Sequence, residues 1–240
     1  MDRMTFIEKL DSDREYSRRE LYRAVSEGVD GYSYNSFNWN LKGMLSAGMV
    51  HRSGRNSYKV GRPEKKDYSP RYSDKSRQIV KFMEDSYPET EYSLFETSML
   101  NEFLNHQIAH NTYFLYVEKE LTEFVFRDIQ TMNGDAVLFR PRKDDLRKYW
   151  KPESVIIIDR ISEAPCGKRN RYDTPLEKLF VDLISDGALL FMYSRSEYPD
   201  MLRSAGEKYI IDNNRMFRYA GRRGKRQEIM AMMKDGRIES

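Results

Sequence analysis

The side chains able to do chemistry in this chain of 240 residues fall in a few short stretches. His106 and His110 are spaced i, i+4, which on a continuous helix would set two imidazoles on one face as metal ligands if a third donor joined them. The intervening Gln107-Ile108-Ala109 lacks the glutamate of the metalloprotease motif, so the pair reads as ordinary packing or surface histidines. Glu118-Lys119-Glu120 follows the apolar run Tyr113 to Val117, and carboxylates beside a lysine at a strand end are what a metal-dependent nuclease uses to hold its ion and position water. A lone strand-end glutamate is more commonly solvated or salt-bridged. Cys166 is the only cysteine, which excludes an internal disulfide and a multi-cysteine zinc site. Beside Ser162, Glu163 and Pro165 it reads as a structural thiol rather than a nucleophile. There is no dinucleotide fingerprint or nucleophile elbow, and Gly221 to Lys225 is too short for a phosphate loop. The expectation is a protein with no catalytic residues, no metal and no cofactor.

A different chemistry, hydrogen bonding to base edges and phosphates, is offered by the amide-rich stretch from Ser33 to Lys42. It needs a helix to present it. Ser17-Arg18-Arg19-Glu20 is a capping-box pattern that starts one helix, with Leu21, Ala24 and Val25 on its apolar face and Gly28 and Asp30-Gly31 ending it in a tight turn. A second helix starts at Ser33 or Ser36, buries Phe37, Leu41, Met44 and Leu45, and stops at Gly48. Two short helices about a glycine-containing turn make a helix-turn-helix, and residues 49–60 then read as a two-stranded hairpin, a wing. The exposed side of the second helix is expected to carry Ser33, Tyr34, Asn35, Asn38, Asn40 and Lys42, with Trp39 as core or contact. Asparagine pairs bidentately with adenine. Arg52, Arg55 and Asn56 on the wing are placed for phosphate or minor-groove contact, which sets affinity and salt dependence rather than sequence choice.

Residues 63–73, with prolines, charges and no apolar periodicity, read as a linker between a winged helix over 1–62 and a larger domain over 74–240. In the larger domain, strand-length apolar runs (Tyr92 to Phe95, Tyr113 to Val117, Ala136 to Phe139, Val155 to Ile158) alternate with helical patterns over 74–85, 121–129 and 144–149 and a short helix containing Leu100, Phe103 and Leu104. The fold class is therefore mixed α/β, a small sheet covered by helices with a helical C-terminal third. Thr174-Pro175-Leu176-Glu177 combines an N-cap threonine, a proline at the first helical position and a capping-box glutamate. The helix it starts has an apolar stripe (Leu176, Leu179, Phe180, Leu183, Ile184) and leaves Glu177, Lys178, Asp182 and Asp186 on its polar, exposed side. Further helices are expected to cover 197–205 and the stretch from Asn213 to about Met233.

Composition limits the class of protein. Hydrophobic residues make up 39% and charged residues 33%, but 17 Tyr and 12 Phe are too many aromatics for a disordered chain. No apolar run approaches a membrane span and no signal-peptide core is visible, so a cytoplasmic protein is expected. The net charge of +3 hides its placement: residues 1–27 are slightly acidic, whereas 28–72 are basic, and Arg215, Arg218, Arg222, Arg223, Lys225 and Arg226 form a second basic cluster.

The winged helix followed by ETSMLNEFLNHQ (96–107), FLYVEKE (114–120), ISEAP (161–165), TPLEKLFVDLISD (174–186) and RYAGRR (218–223) resembles the AbiEi-like antitoxin superfamily over nearly the whole chain. That resemblance implies an antitoxin of a type IV toxin-antitoxin system. Its winged helix would repress the shared operon by binding double-stranded operator DNA, and its C-terminal domain would neutralise a nucleotidyltransferase-like toxin without requiring a stable complex. It points to Glu177, Lys178, Asp182, Arg218, Arg222 and Arg223 as the functional residues of that domain, in a monomer or weak dimer. Two other readings stay open: a nuclease or nucleotidyltransferase-like enzyme using Glu118, and a regulator whose larger domain senses a small molecule.

Overall fold

In the computed structural model, which describes residues 3–54, 56–62, 64–104 and 106–235, the chain divides into two units, Met1–Lys65 and Lys66–Ser240. The smaller begins with helix α1 (Arg3–Glu8), followed by strand β1 (Tyr16–Ser17), helices α2 (Arg18–Ser26) and α3 (Tyr34–Ser46), and strands β2 (Val50–Gly54) and β3 (Ser57–Val60). The capping box at α2 forms: the Ser17 hydroxyl accepts from the Glu20 amide, and the Ser17 amide donates to the Glu20 carboxylate at 2.8 Å. Ser33 caps α3 by accepting from the Ser36 amide at 3.1 Å. Gly48 ends α3 at φ 66°, the left-handed conformation that costs glycine least. The chain then returns as an antiparallel hairpin in which Val50 faces Val60 and Arg52 faces Tyr58, and β1 pairs with β3 to give the order β1-β3-β2. Phe6, Leu21, Val25, Phe37, Met44 and Val50 fill the core between helices and sheet. This order of three helices and a three-stranded sheet is a winged helix-turn-helix.

The larger unit starts earlier than the linker reading placed it. Residues 66–73, expected as an exposed connection, lie on this unit: the Lys66 amide donates to the Lys208 carbonyl, its own carbonyl accepts from Ile210, and Tyr68 packs against Phe103 and Tyr209. The tyrosines of this Pro-containing stretch supply the burial that its charges concealed.

Four strands form the second sheet: β4 (Tyr92–Glu96), β5 (Tyr113–Val117), β6 (Val137–Phe139) and β7 (Val155–Asp159), in the order β4-β5-β7-β6. β4 is antiparallel to β5, while β5, β7 and β6 run parallel. Alternation along each strand divides the side chains between two layers. Leu94, Leu115, Val117, Val155 and Ile157 pack with Ile79 and Met83 of α4 (Asp74–Ser86) and Val125 and Ile129 of α5 (Thr122–Asn133). Phe95, Phe114, Tyr116 and Ile156 point the other way, toward α7 (Leu176–Ser185), α8 (Tyr198–Lys208), α9 (Asn213–Arg222) and α10 (Arg226–Asp235). With both faces covered, β5 reads as an unbroken apolar run. The remaining helix, α6 (Lys143–Tyr149), leads from β6 to β7.

Several local expectations are corrected. The segment containing Leu100 is a 3₁₀ turn, Thr97–Glu102, rather than an α-helix through Leu104. The stretch from Asn213 is helical as expected, and it is divided in two because Gly224 at φ 65° lets the Lys225 amide turn back to the Ala220 carbonyl. No capping box forms at α7: Pro175 takes the cap position, the Thr174 hydroxyl donates to the Leu94 carbonyl of β4 at 2.9 Å, and Glu177 bonds elsewhere. Among the described residues, no helix is long and apolar enough to cross a membrane.

Candidate nucleic-acid interface and the buried charge cluster

From Gly31 to Arg62, through α3 and both strands of the wing, there is not one aspartate or glutamate, in a chain that holds 38 of them. The outer side of α3 presents Tyr34, Asn35, Trp39 and Lys42 to solvent, Trp39 at 68% exposure. Tyr34 leans on Tyr22 and Phe37, with ring centroids 5.1 and 5.5 Å away, so the core braces this exposed ring. Ser33 is spent on the cap. On the wing, Arg52 is exposed with its guanidinium 6.0 Å from the Tyr58 ring centroid, and Asn56 sits at the hairpin tip at φ 59°. Arg55, also expected there, lies outside the described residues.

Two of the asparagines behave unlike their neighbours. Asn40, expected on the exposed side, is buried, and its amide donates to the Tyr32 hydroxyl at 2.9 Å. This corrects its assignment as a DNA contact: it lies one residue from core Leu41 and three from core Phe37, on the inward side of the helix. Asn38 is half-buried because the Arg18 guanidinium donates to its side-chain oxygen at 2.8 Å. Arg18 is thus a residue of this surface that sequence reasoning missed. Its position just after the Ser17 cap was legible, but only the packing of α2 on α3 brings it to Asn38.

In the larger unit, Glu177, Lys178 and Asp182 are all buried, which overturns their expected exposure along with that of Asp186. Pattern reading sends charge to solvent, yet α7 lies between the sheet and α9, leaving Leu176 through Ile184 buried. Lys178, 1% exposed, donates to Asp182 at 2.6 Å, and its ammonium stands 3.5 Å from the ring centroid of Tyr116 on β5. The other Asp182 oxygen accepts from the Tyr219 hydroxyl of α9 at 2.8 Å, with Arg223 Nε 3.9 Å away. The Tyr116 hydroxyl donates to Asp186 at 3.1 Å, and the second Asp186 oxygen accepts from the Ala188 amide. Burial lowers the pKa of Lys178 against the opposing pull of Asp182. Burial, reinforced by Asp182, raises that of Asp186. Tyr116 and Tyr219 are pushed upward by burial first and by the carboxylates second. Glu177 accepts from the Asp212 amide at 2.9 Å, holding the turn in which Asp212 caps α9. These residues join α7, the sheet and α9 through satisfied hydrogen bonds, the condition for keeping charge inside a core.

A further buried carboxylate escaped the sequence reading. Glu96, at the end of β4, accepts from the Ser73 amide and from the hydroxyls of Ser73, Ser76 and Ser98, which fastens the start of α4 to the sheet. The pattern of β4 gave it no special place.

The other chemically suggestive residues are not drawn together. His106 and His110 lie in an irregular segment, not on a helix, and His106 approaches Glu197 only to 3.9 Å. Among the described residues, no three His, Cys, Asp or Glu side chains converge as metal ligands. Glu118 begins α5 through its backbone, its carbonyl accepting from Leu121, from Thr122 and from the Thr122 hydroxyl. Arg218 and Arg222 are exposed on α9, and Arg222 pairs with Glu163.

No curated protein matches the chain. Residues 36–239 match the model of a protein family described as a family of unknown function, DUF6577. That match takes in most of α3, the wing and nearly all of the larger unit, and the chain belongs to this family.

Proposed function

We propose that the chain is a DNA-binding regulator whose α3 enters the major groove while the β2-β3 wing lies on the phosphate backbone, and that it acts in the cytoplasm as the antitoxin and autorepressor of a type IV toxin-antitoxin pair. The observation that carries DNA binding is the absence of acidic residues from Gly31 to Arg62 on a winged helix whose exposed side chains there include Lys42 and Arg52. The antitoxin role rests on the likeness of the 96–107, 161–165 and 174–186 motifs to AbiEi-like proteins. The larger unit would neutralise a nucleotidyltransferase-like toxin without catalysis of its own.

The test is titration of the full-length protein against its own upstream DNA and a scrambled duplex across a salt series. Specific binding should fall steeply with salt, and the double variant Lys42→Ala/Arg52→Ala should lower the log–log slope by about 0.9 for each phosphate contact removed. Equal affinity for the two duplexes, or a slope untouched by the double variant, would overturn the DNA-binding assignment. Co-expression with the product of the adjacent gene separates the two halves of the proposal: growth arrest by that product, relieved by this chain, supports the antitoxin role, and unrelieved arrest refutes it.

A further inference from the structure

Two asparagines of α3 that the groove would meet differ in what they can offer it. Asn35 is exposed and bonds to nothing among the described residues, so its side chain keeps both an acceptor and a donor. Asn38 lies between Asn35 and Lys42 on the same side of the helix, at the i, i+3 and i, i+4 spacings that make side chains neighbours. Its oxygen is already taken, because Arg18 of α2 donates to it at 2.8 Å. A guanidinium carries donors and no acceptor, so the carboxamide has to turn its oxygen toward Arg18 and its NH2 away. The chemistry of the pair fixes that orientation, which for an isolated carboxamide would be a choice between two similar atoms.

The result is a surface made of donors. Asn38 Nδ2 and Arg18 Nη1 bond to nothing within the described protein, and both are open to solvent. Arg18 Nε, by contrast, is buried without a partner. A buried donor left unpaired is a cost to the fold, so stability alone does not account for a guanidinium held in this place. In the major groove guanine presents two acceptors on one base edge, O6 and N7. Adenine sets one acceptor beside an amino group, cytosine presents an amino group, and thymine a single acceptor beside a methyl. The Asn38 oxygen, which would have to receive the adenine amino group, is turned to Arg18.

We infer that Arg18 sets Asn38 to read guanine, the two side chains donating to O6 and N7, in place of the adenine that an unengaged asparagine pairs with. This rests on the DNA-binding assignment of α3 and adds to it the identity of one base. Asn35, which keeps both its groups, is outside the device.

The test is selection of bound duplexes by the full-length protein from a pool with a randomised central stretch, followed by sequencing. The unaltered protein should enrich guanine about tenfold over adenine at one position, and Asn38→Ala should weaken the preference at that position. Arg18→Ala frees the Asn38 oxygen, and the same position should move from guanine to adenine. Arg18→Lys keeps a donor on that oxygen and should keep guanine. A side chain that only packs would change affinity for every sequence without changing which base is chosen. Adenine at the Asn38-dependent position in the unaltered protein, no position that depends on Asn38, or a loss of guanine in Arg18→Ala with no gain of adenine would each overturn the inference and leave the DNA-binding assignment standing. No enriched sequence at all would overturn that assignment and the inference with it.

Discussion

Lys178 and Asp182 meet at 2.6 Å across one helical turn of α7, a helix whose residues Leu176 through Ile184 are all buried. The pair is held by Tyr116 from the sheet and Tyr219 from α9, so it joins three elements rather than decorating one. Removing one member of such a pair strands the other.

Lys178→Met should cost the larger unit about 3 kcal/mol, because it leaves the buried Asp182 side chain without its ammonium partner. In Lys178→Met/Asp182→Leu no charge is left stranded, and the total loss should be smaller than the sum of the single losses. Urea unfolding of the four proteins measures this coupling. Simple additivity would mean that the pair contributes nothing as a pair.

Asp186 gives the unit a pH dependence of definite sign. Its folded pKa is raised above the ordinary 3.8 by burial and by Asp182, against the opposing influence of the Ala188 amide, Arg223 and the Tyr116 hydroxyl. Folding therefore binds the proton more tightly. Its stabilising contribution is complete below 3.8 and is lost as pH rises through the folded value. Asp186→Asn keeps the shape without the charge, so the variant should gain on the unaltered protein as pH climbs above 3.8. Each pKa unit of elevation is worth about 1.4 kcal/mol. Thermal melts of both proteins at several pH values would show the gap; a gap that stays constant would contradict this reading.

Asn40 and Lys42, two residues apart on α3, should fail in opposite ways. Asn40→Ala removes the bond to the Tyr32 hydroxyl inside the core and should cost about 1 kcal/mol of stability, with DNA affinity unchanged for the molecules that remain folded. Lys42→Ala should leave melting unaltered and lower DNA affinity. The reverse result would place Asn40 on the outward side.

Arg18→Ala should reduce discrimination between cognate and scrambled duplex by about 1 kcal/mol, roughly fivefold, because Asn38 loses the guanidinium that orients it. Competition binding with the two duplexes reads this ratio. An unchanged ratio would leave Arg18 only a packing role.

What the sequence disclosed followed the range of the forces involved. The Ser17-Glu20 box and the Ser33 cap are settled within one turn of helix, and β5 was legible because both its faces are covered. The start of α7 was misread because Thr174 has a choice that its neighbours do not reveal: it bonds to Leu94, eighty residues away in the chain. Glu177, Lys178 and Asp182 occupy the polar positions of an amphipathic pattern, and nothing local states that α9 will close over them. Asn40 was misplaced for the same reason, its partner being a tyrosine hydroxyl rather than water.

A helix with no outer side also changes how variation along this family should be interpreted. Selection would purge substitutions at Glu177, Lys178 and Asp182 as severely as at an active site, although all three are buried. Invariance there would record the requirement to fold. Arg169 and Arg218 bond to nothing within the described protein, so persistence of those two across relatives would have to be maintained from outside the molecule.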